Sequence, residues 1–425
     1  MSAKYKIIPD WNLIFLSCII SFLIFLNYFF WSVNAFQIIK FINFFVLLSF
    51  LFYFFLHKKF FNYNFLKFII ISLLILSLGS VTLDWDARSM WMFHSKRIFF
   101  DNSLYAGFDK YMPELENAYP RLPATLSATL AQIIGHWNEI FPKSTNILIL
   151  VPALFVQCAF LKNVKAVLLW LMFVLLISGR ILINGSMDGL VAIYFVANCL
   201  IIYNLFFEEH LIYGKGKDEI NKNKITLFFT GVFCGIILSL LKNEGLVIIM
   251  LLLLSTLIFK IYIEKKIDKN ILIFGTFVLL PVFIWKFIAL YNGIYPTMIG
   301  ASISSNLVGL NSFDRLILRL SEIDNYKLVF KYLLINEKFI ISLLIFIFCI
   351  YKNFKKNKLL YSFVITNALL YYILLYMIYF QTPADLYWHL NSSATRVMPS
   401  IAMVLVFFSI STIIKDQRIR KENLI

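Results

Sequence analysis

Polar residues punctuate this chain in clusters. Between them lie stretches almost free of charge for about twenty positions at a time, the length that crosses a hydrocarbon slab as a helix. Twelve such runs are predicted, near 12–31, 36–56, 64–83, 144–162, 165–183, 187–207, 225–241, 244–263, 271–291, 338–351, 359–380 and 397–414, with 338–351 the shortest. The pattern predicts an all-α polytopic membrane protein, one domain over 1–425 with about twelve transmembrane helices.

The polar clusters alternate in kind. Lys58/Lys59, Lys162/Lys165, Lys215/Lys217/Lys222/Lys224, Lys260/Lys265/Lys266/Lys269 and Lys352/Lys355/Lys356/Lys358 occupy every second connection. They share a side with Lys4, Lys6 and the tail Lys415, Arg418, Arg420 and Lys421. Positively charged loops stay in the cytoplasm, so both termini are expected there. The intervening connections are the short link 32–35, the segment 84–143, NGSMDG (184–189), KNEG (242–245), the segment 292–337 and QTPADLYWHLNSSATR (381–396). These carry Asp, Glu, His, Asn and Arg and are expected outside the cytoplasm. The start, with Lys4, Lys6, an apolar stretch and Ser32-Val33-Asn34-Ala35, resembles a signal sequence. Its apolar part is longer than usual for one and predicts an uncleaved anchor helix, with cleavage after Ala35 the alternative.

Two outer segments exceed what a connector needs. In 84–143, residues 86–100 have helical character, and LPATLSATLAQIIG (122–135) is apolar but too short to span, which predicts a helix in the interface. In 292–337, FDRLILRLSEIDNYKLVFKYLL sets Arg315, Arg319, Glu322, Lys327 and Lys331 among aliphatics at helical spacing, again an amphipathic surface helix.

Composition supports the membrane reading: at 61% hydrophobic and 15% charged, a soluble chain could not cover its core. The net charge of +16 is spread over short loops instead of one face, so a nucleic-acid partner is not expected. Cys18, Cys158, Cys199, Cys234 and Cys349 all lie in apolar runs and read as core fillers. No metalloprotease, phosphate-loop, serine-hydrolase or cysteine metal motif occurs.

The candidate chemistry sits in the outer connections. Asp84 and Asp86 flank Trp85 at the mouth of a span, followed by Arg88, His94 and Arg97. On a straight helix Arg97 lies three turns from Asp86 and nearly in line, with His94 offset by less than a right angle. A carboxylate in a half-dry pocket can act as a general base, and cations behind it can hold an anion. The bland alternative is a solvated helix cap. Asp188 opens a span, where it either complements the helix dipole or serves the site. Lys242 and Glu244 form a tight link that is either a neutralised turn or part of a cavity, with Lys242 a candidate for a phosphate. His389 and Arg396 precede the last span, where the arginine needs an anion, a lipid headgroup or a bound lipid phosphate. Glu139 and the pair Tyr119-Pro120 are weaker candidates, and His136 has no assigned role. Asp84 and Asp86 have the chemistry to hold a divalent cation, with no third ligand evident in the sequence, and no metal site is assigned.

WDARSMWMFHSK (85–96), Tyr119-Pro120, WNE (137–139), KNEGL (242–246) and HLNSSATR (389–396) resemble a branch of the bacterial GT-C glycosyltransferases, membrane enzymes related to protein mannosyltransferases and lipid A aminoarabinose transferases. The resemblance is strongest over 80–140. It implies a site on the outer face of the plasma (inner) membrane, with an acidic pair in the first large outer loop, matched by Asp84 and Asp86. It also implies a polyprenyl-phosphate sugar donor and a lipid, glycan or protein acceptor. The chain departs from the family pattern in two ways: Trp85 splits the acidic pair, and two helices precede the helix that bears the loop. Asp86 is the expected base and Asp84 its support, with Arg396, Lys242 or Arg97 on the leaving phosphate, for one inverting displacement. Two other classes compete. A secondary transporter predicts paired halves and broken helices at mid-membrane, yet glycine is scarce, and Lys286, the deepest cation, can snorkel outward. A lipid-linked O-antigen ligase or polymerase would lean on outer-loop arginines such as Arg315.

Overall fold

A computed structural model describes residues 9–33, 37–80, 84–105, 117–208, 217–294 and 310–422, with the backbone alone for 217–218 and 415–422. Lys4, Lys6, Asn34, Ala35 and Lys215, the side chains of Lys217, Lys415, Arg418, Arg420 and Lys421, and the stretches 106–116 and 295–309 of the two long segments lie outside the described residues.

The helices are α1 (Trp11–Ser32), α2 (Gln37–Leu56), α3 (Asn64–Gly79), α4 (Met92–Asp101), α5 (Leu122–Ile134), α6 (Thr145–Leu161), α7 (Val164–Ile183), α8 (Asp188–Phe206), α9 (Lys217–Leu241), α10 (Asn243–Glu264), α11 (Lys269–Tyr291), α12 (Ser312–Leu320), α13 (Ile323–Leu334), α14 (Glu337–Asn353), α15 (Lys358–Gln381), α16 (Leu386–Val397) and α17 (Pro399–Glu422). All are built from the apolar runs and the stretches beside them, and no strand occurs among the described residues. Eleven spans are long and apolar enough to cross a membrane, and α13 with α14 makes a twelfth if that pair, bent by 70°, is one broken span. The chain is an all-α polytopic membrane protein. The short run at 338–351 is a helix, α14, that reaches the length of a span only together with α13.

Polar caps start several helices where the apolar pattern begins. Asp10, Asn163, Asp268, Asn311, Asn336 and Asp385 each accept a hydrogen bond from a backbone N–H of the following turn. At the core stands α8, every residue of which is buried, from Asp188 to Phe206. It is wrapped by α6, α9, α10 and α17, while α1 seals α6 and α9 from the other side. In contrast α2 and α11 leave Ile38, Ile42, Phe45, Phe52, Phe277 and Phe287 exposed, the composition of a lipid-facing surface.

The bundle has two ends, and tie points identify them. At one end Asp10 N–H donates to Ala159 O at 2.9 Å, Tyr63 Oη to Asp10 Oδ2 at 2.9 Å, and Tyr361 Oη to Thr412 Oγ1 at 3.0 Å. These contacts join the start of α1 to the end of α6 and the start of α15 to the far part of α17. At the other end Ser80 Oγ donates to Ile183 O at 3.2 Å, Lys143 Nζ to Ser80 Oγ at 2.7 Å, and Arg319 to Tyr379 O at 2.8 Å and Ala384 O at 2.7 Å. The non-lysine connections thus share an end, as the alternation of loops demands.

Two local expectations change. The apolar helix at 122–135 is α5, and protein covers it: Leu122, Ala124, Leu126, Ala128 and Ala131 are buried where it packs on α1, α4 and α6. Hydrogen bonds hold it there, with Trp31 Nε1 donating to Thr129 Oγ1 and Thr129 Oγ1 to Asn27 Oδ1, each at 2.9 Å. Gly135, at φ +88°, ends it in the left-handed region. An apolar stretch of 13 residues suits either lipid or protein, and this hydroxyl ladder decides for protein. Downstream, the single amphipathic helix expected at 313–334 is split at Ser321-Glu322 into α12 and α13. Each half keeps an apolar exposed face, including Phe313, Ile317, Ile323 and Phe330.

Candidate active site

Four separate segments bring their charges together at the non-lysine end. Asp86 stands at the head of the turn that leads into α4, Asp188 is the first residue of α8, Lys242 and Glu244 flank the start of α10, and Arg396 lies in the last turn of α16. They form an alternating chain. Arg396 Nη1 sits 2.7 Å from Asp86 Oδ2 and 3.9 Å from Asp188 Oδ2. Lys242 Nζ is 2.8 Å from Asp188 Oδ1 and 3.1 Å from Glu244 Oε1. Three carboxylates thus share two cations. Asp84 joins the rim through Asn184, whose amide nitrogen donates to Asp84 Oδ2.

Burial makes the chain consequential. The side chains of Asp188 and Lys242 are 6% and 9% exposed, and those of Asp86 and Arg396 17% and 21%. Charges so placed need partners, because desolvation costs several kcal/mol per ion. Burial alone pulls the Lys242 ammonium toward losing its proton. The carboxylates of Asp188 and Glu244, with Tyr119 and Asp86 beyond them, outweigh this and hold it protonated, well above the usual lysine range. Ser186 Oγ donates to Asp188 Oδ2 at 2.8 Å and fixes that carboxylate further.

The backbone explains why these residues occupy these positions. Asp188 and Glu244 stand in the first turns of α8 and α10, where helix dipoles favour negative charge. Only extended Lys242 separates α9 from α10, so the two helices reverse tightly. A Cβ at Gly245 would lie 2.0 Å from Leu238 O, so only glycine permits the reversal that sets Lys242 and Glu244 beside Asp188. Between Asp86 and α4 the chain makes a π-helical turn, Ala87–Trp91. Such turns insert one residue into a helix and recur at functional sites.

That turn corrects the helical phase read from the sequence. An inserted residue rotates the downstream positions by about 100°, so Arg97 is not in line with Asp86. Arg97 instead pairs with Asp101, one turn on, at 2.8 Å. His94 is buried on α4, the helix that packs against α5. Arg88 lies exposed on the π-turn beside the acidic pair. His389, two turns before Arg396 on one face of α16, stacks edge-on to Tyr379 at 4.9 Å. Of the ten candidates, Asp84, Asp86, Asp188, Lys242, Glu244 and Arg396 converge, and His389 borders them.

Glu139 belongs to a surface pair with Lys96 at 3.4 Å, and His136 packs on Phe141. Tyr119 rests edge-on against Trp91 at 5.6 Å. Sequence reasoning missed Asn184 and Ser186, which orient Asp84 and Asp188. Their signal was present in NGSMDG, a polar turn beside an acid at a span's mouth. No group of three or more His, Cys, Asp or Glu side chains able to hold a metal occurs among the described residues, and Asp86 is taken by an arginine. Among the described residues the acidic pair gains no third metal ligand.

Beside the chain of charges lies a cavity of about 260 Å³ between α10 and α11, lined by Asn243, Leu246, Val247, Lys286, Ala289 and Leu290 among others. Lys286 Nζ donates to Asn243 Oδ1 at 2.5 Å and Ala118 O at 3.0 Å. Lys286 thus reaches the polar end as expected of a snorkelling lysine. Farther along the same helix seam is an apolar groove of about 380 Å³, lined by Leu253, Leu257, Leu272, Gly275, Leu279 and Phe283 among others. Comparison with family models, curated proteins and solved structures found no match.

Proposed function

We propose that the chain is a membrane glycosyltransferase that moves a sugar from a polyprenyl-phosphate donor to an acceptor hydroxyl outside the cytoplasm, with inversion. The observation that carries this reading is the half-buried pairing of Asp86 with Arg396, a base and an anion-binding group 2.7 Å apart at one end of an apolar bundle. A soluble donor would not need its base at the edge of a helix bundle. The α10–α11 seam offers apolar surface for a tail beside that end.

In this mechanism Asp86 takes the acceptor's hydroxyl proton as the oxygen attacks the anomeric carbon. The bond from that carbon to the phosphate oxygen breaks on the opposite face, and the electron pair leaves with the lipid phosphate. Arg396, with exposed Arg88 at the rim, stabilises the departing charge. Asp84, held by Asn184, orients the acceptor. Asp188, Lys242 and Glu244 hold Arg396 in place. This reading needs no nucleotide pocket, in keeping with the lack of a glycine-rich phosphate loop.

The arrangement favours this over the other two classes. Transporters place ionisable groups near the middle of broken helices, whereas these charges crowd one end. Arg315, which an arginine-dependent ligase would use, donates to Gln381 O at 2.9 Å and to Leu310 O, tying α12 to the end of α15. The test is to incubate membranes containing the protein with radiolabelled polyprenyl-phosphate sugars. Transfer of label to a lipid, glycan or protein acceptor supports the reading. No transfer, together with accumulation of a soluble solute in intact vesicles, replaces it with the transporter.

A further inference from the structure

We infer that the Asp86–Arg396 pair is a latch opened by phosphate: an incoming phosphate takes Arg396 away from Asp86 and so releases the base only when the donor is in place. This rests on the transferase reading and adds an order of events to it.

The geometry poses a conflict that the latch resolves. The mechanism needs Asp86 as a base and Arg396 as a phosphate ligand, yet the two groups are bonded to each other. A carboxylate oxygen occupied by a guanidinium is not free to take a proton from an acceptor. Arg396 nevertheless keeps unused capacity. Its Nε is buried with no hydrogen-bond partner, although guanidinium donors act as a fork. Within the same cluster His389 Nδ1 and Glu244 Oε2 are also buried without a hydrogen-bond partner. Buried polar atoms are normally satisfied, so the spare Nε donor of Arg396 marks a place for a further acceptor.

The exchange is a competition for one guanidinium. Asp86 and Asp188 already share Arg396, and a phosphate must displace one of them. A phosphate offers several acceptor oxygens and binds an arginine in two-pronged fashion, using Nε as well as Nη. Asp188 stays 3.9 Å from the guanidinium and, with Lys242, keeps Arg396 near its place while Asp86 lets go. Asp86 needs no large movement, because it adjoins the π-turn, where the backbone ladder is already irregular. The outcome is a binding order, donor before acceptor, which protects the activated sugar from a base that is armed too early.

The latch makes an unusual prediction: removing the base tightens the donor site. Binding of polyprenyl monophosphate to the full chain in lipid nanodiscs should strengthen about tenfold in Asp86→Asn, since the carboxylate no longer competes for Arg396. Arg396→Ala should abolish binding in either background. Inorganic phosphate, measured in parallel, separates the sources: tightening with either ligand supports the latch, and which one tightens says whether the phosphate arrives on a lipid. Unchanged or weaker binding of both in Asp86→Asn overturns the latch and leaves a purely structural pair. Should Asp86→Asn fail to fold, the wild-type chain decides. Carbodiimide labelling of Asp86, read by peptide mass, should rise about threefold or more when the lipid phosphate is added, and no rise overturns the latch. Failure of wild type to bind polyprenyl monophosphate at all defeats the transferase reading along with it, an outcome distinct from binding without tightening.

Discussion

Two ion clusters sit at opposite ends of α10, and they are built on different plans. At its C-terminal end Lys260 pairs with Glu264 at 2.5 Å and Asp268 at 3.9 Å, and Lys266 lies 4.0 Å from Glu264. All four residues fall within nine positions of the chain; Lys260 is enclosed, while Lys266 is 74% exposed. At the N-terminal end Lys242 and Glu244 join Asp188, Arg396 and Asp86, drawn from segments up to 310 residues apart and mostly buried. The exposed members of such a local cluster are worth at most about 1 kcal/mol and form wherever a helix hairpin needs neutralising. A buried chain assembled from distant segments costs desolvation and is stabilised only by its complete pairing. Neither charge count nor burial separates the two clusters, since Lys260 is as enclosed as Lys242, whereas sequence separation does.

Substitutions can break or sharpen this contrast. The largest effect belongs to Asp86→Asn, which should lower sugar transfer about 10²–10⁴-fold, measured on reconstituted protein. Next comes Arg396→Ala. Transfer should fall about 10²–10³-fold, and stability by about 3–5 kcal/mol because Asp86 and Asp188 lose a buried partner. Unfolding in detergent reads the second number, and a loss below about 1 kcal/mol would place this cluster on the same footing as its counterpart. Gly245→Ala forces a methyl group against Leu238 O and should cost about 1–3 kcal/mol, with transfer reduced as Lys242 and Glu244 shift. The smallest effect on the reaction is expected from Glu264→Ala, which should leave transfer unchanged. A transfer defect there would erase the distinction between the two ends.

The fold was readable because membrane spans depend on a property that the sequence displays openly, about twenty apolar positions between polar clusters. Much of the candidate site was readable for a related reason: an ionisable residue at the mouth of a span is costly unless it has a task. Asp84, Asp86, Asp188, Lys242, Glu244 and Arg396 each stood out in this way. Who pairs with whom could not be read. The contact of Arg396 with Asp86 joins residues 310 positions apart and depends on how α16 docks on the bundle. Arg97 was misplaced because the phase argument assumed 3.6 residues per turn, and the π-turn after Asp86 breaks that assumption. Asn184 and Ser186 carry no charge and announce themselves only through the acids they hold. The burial of α5 was hidden because threonine hydroxyls that satisfy a protein neighbour look no different from those facing a lipid headgroup.

The proposed chemistry requires the buried chain of charges to face away from the cytoplasm, where lipid-linked sugars would meet their acceptors. Trp85 stands between the two aspartates and is 56% exposed, so a cysteine in its place reports that side directly. A membrane-impermeant maleimide applied to intact cells should label Trp85→Cys as fully as it does after permeabilisation. Labelling that appears only once the membrane is opened would put Asp84 and Asp86 inside the cell and contradict the transferase mechanism.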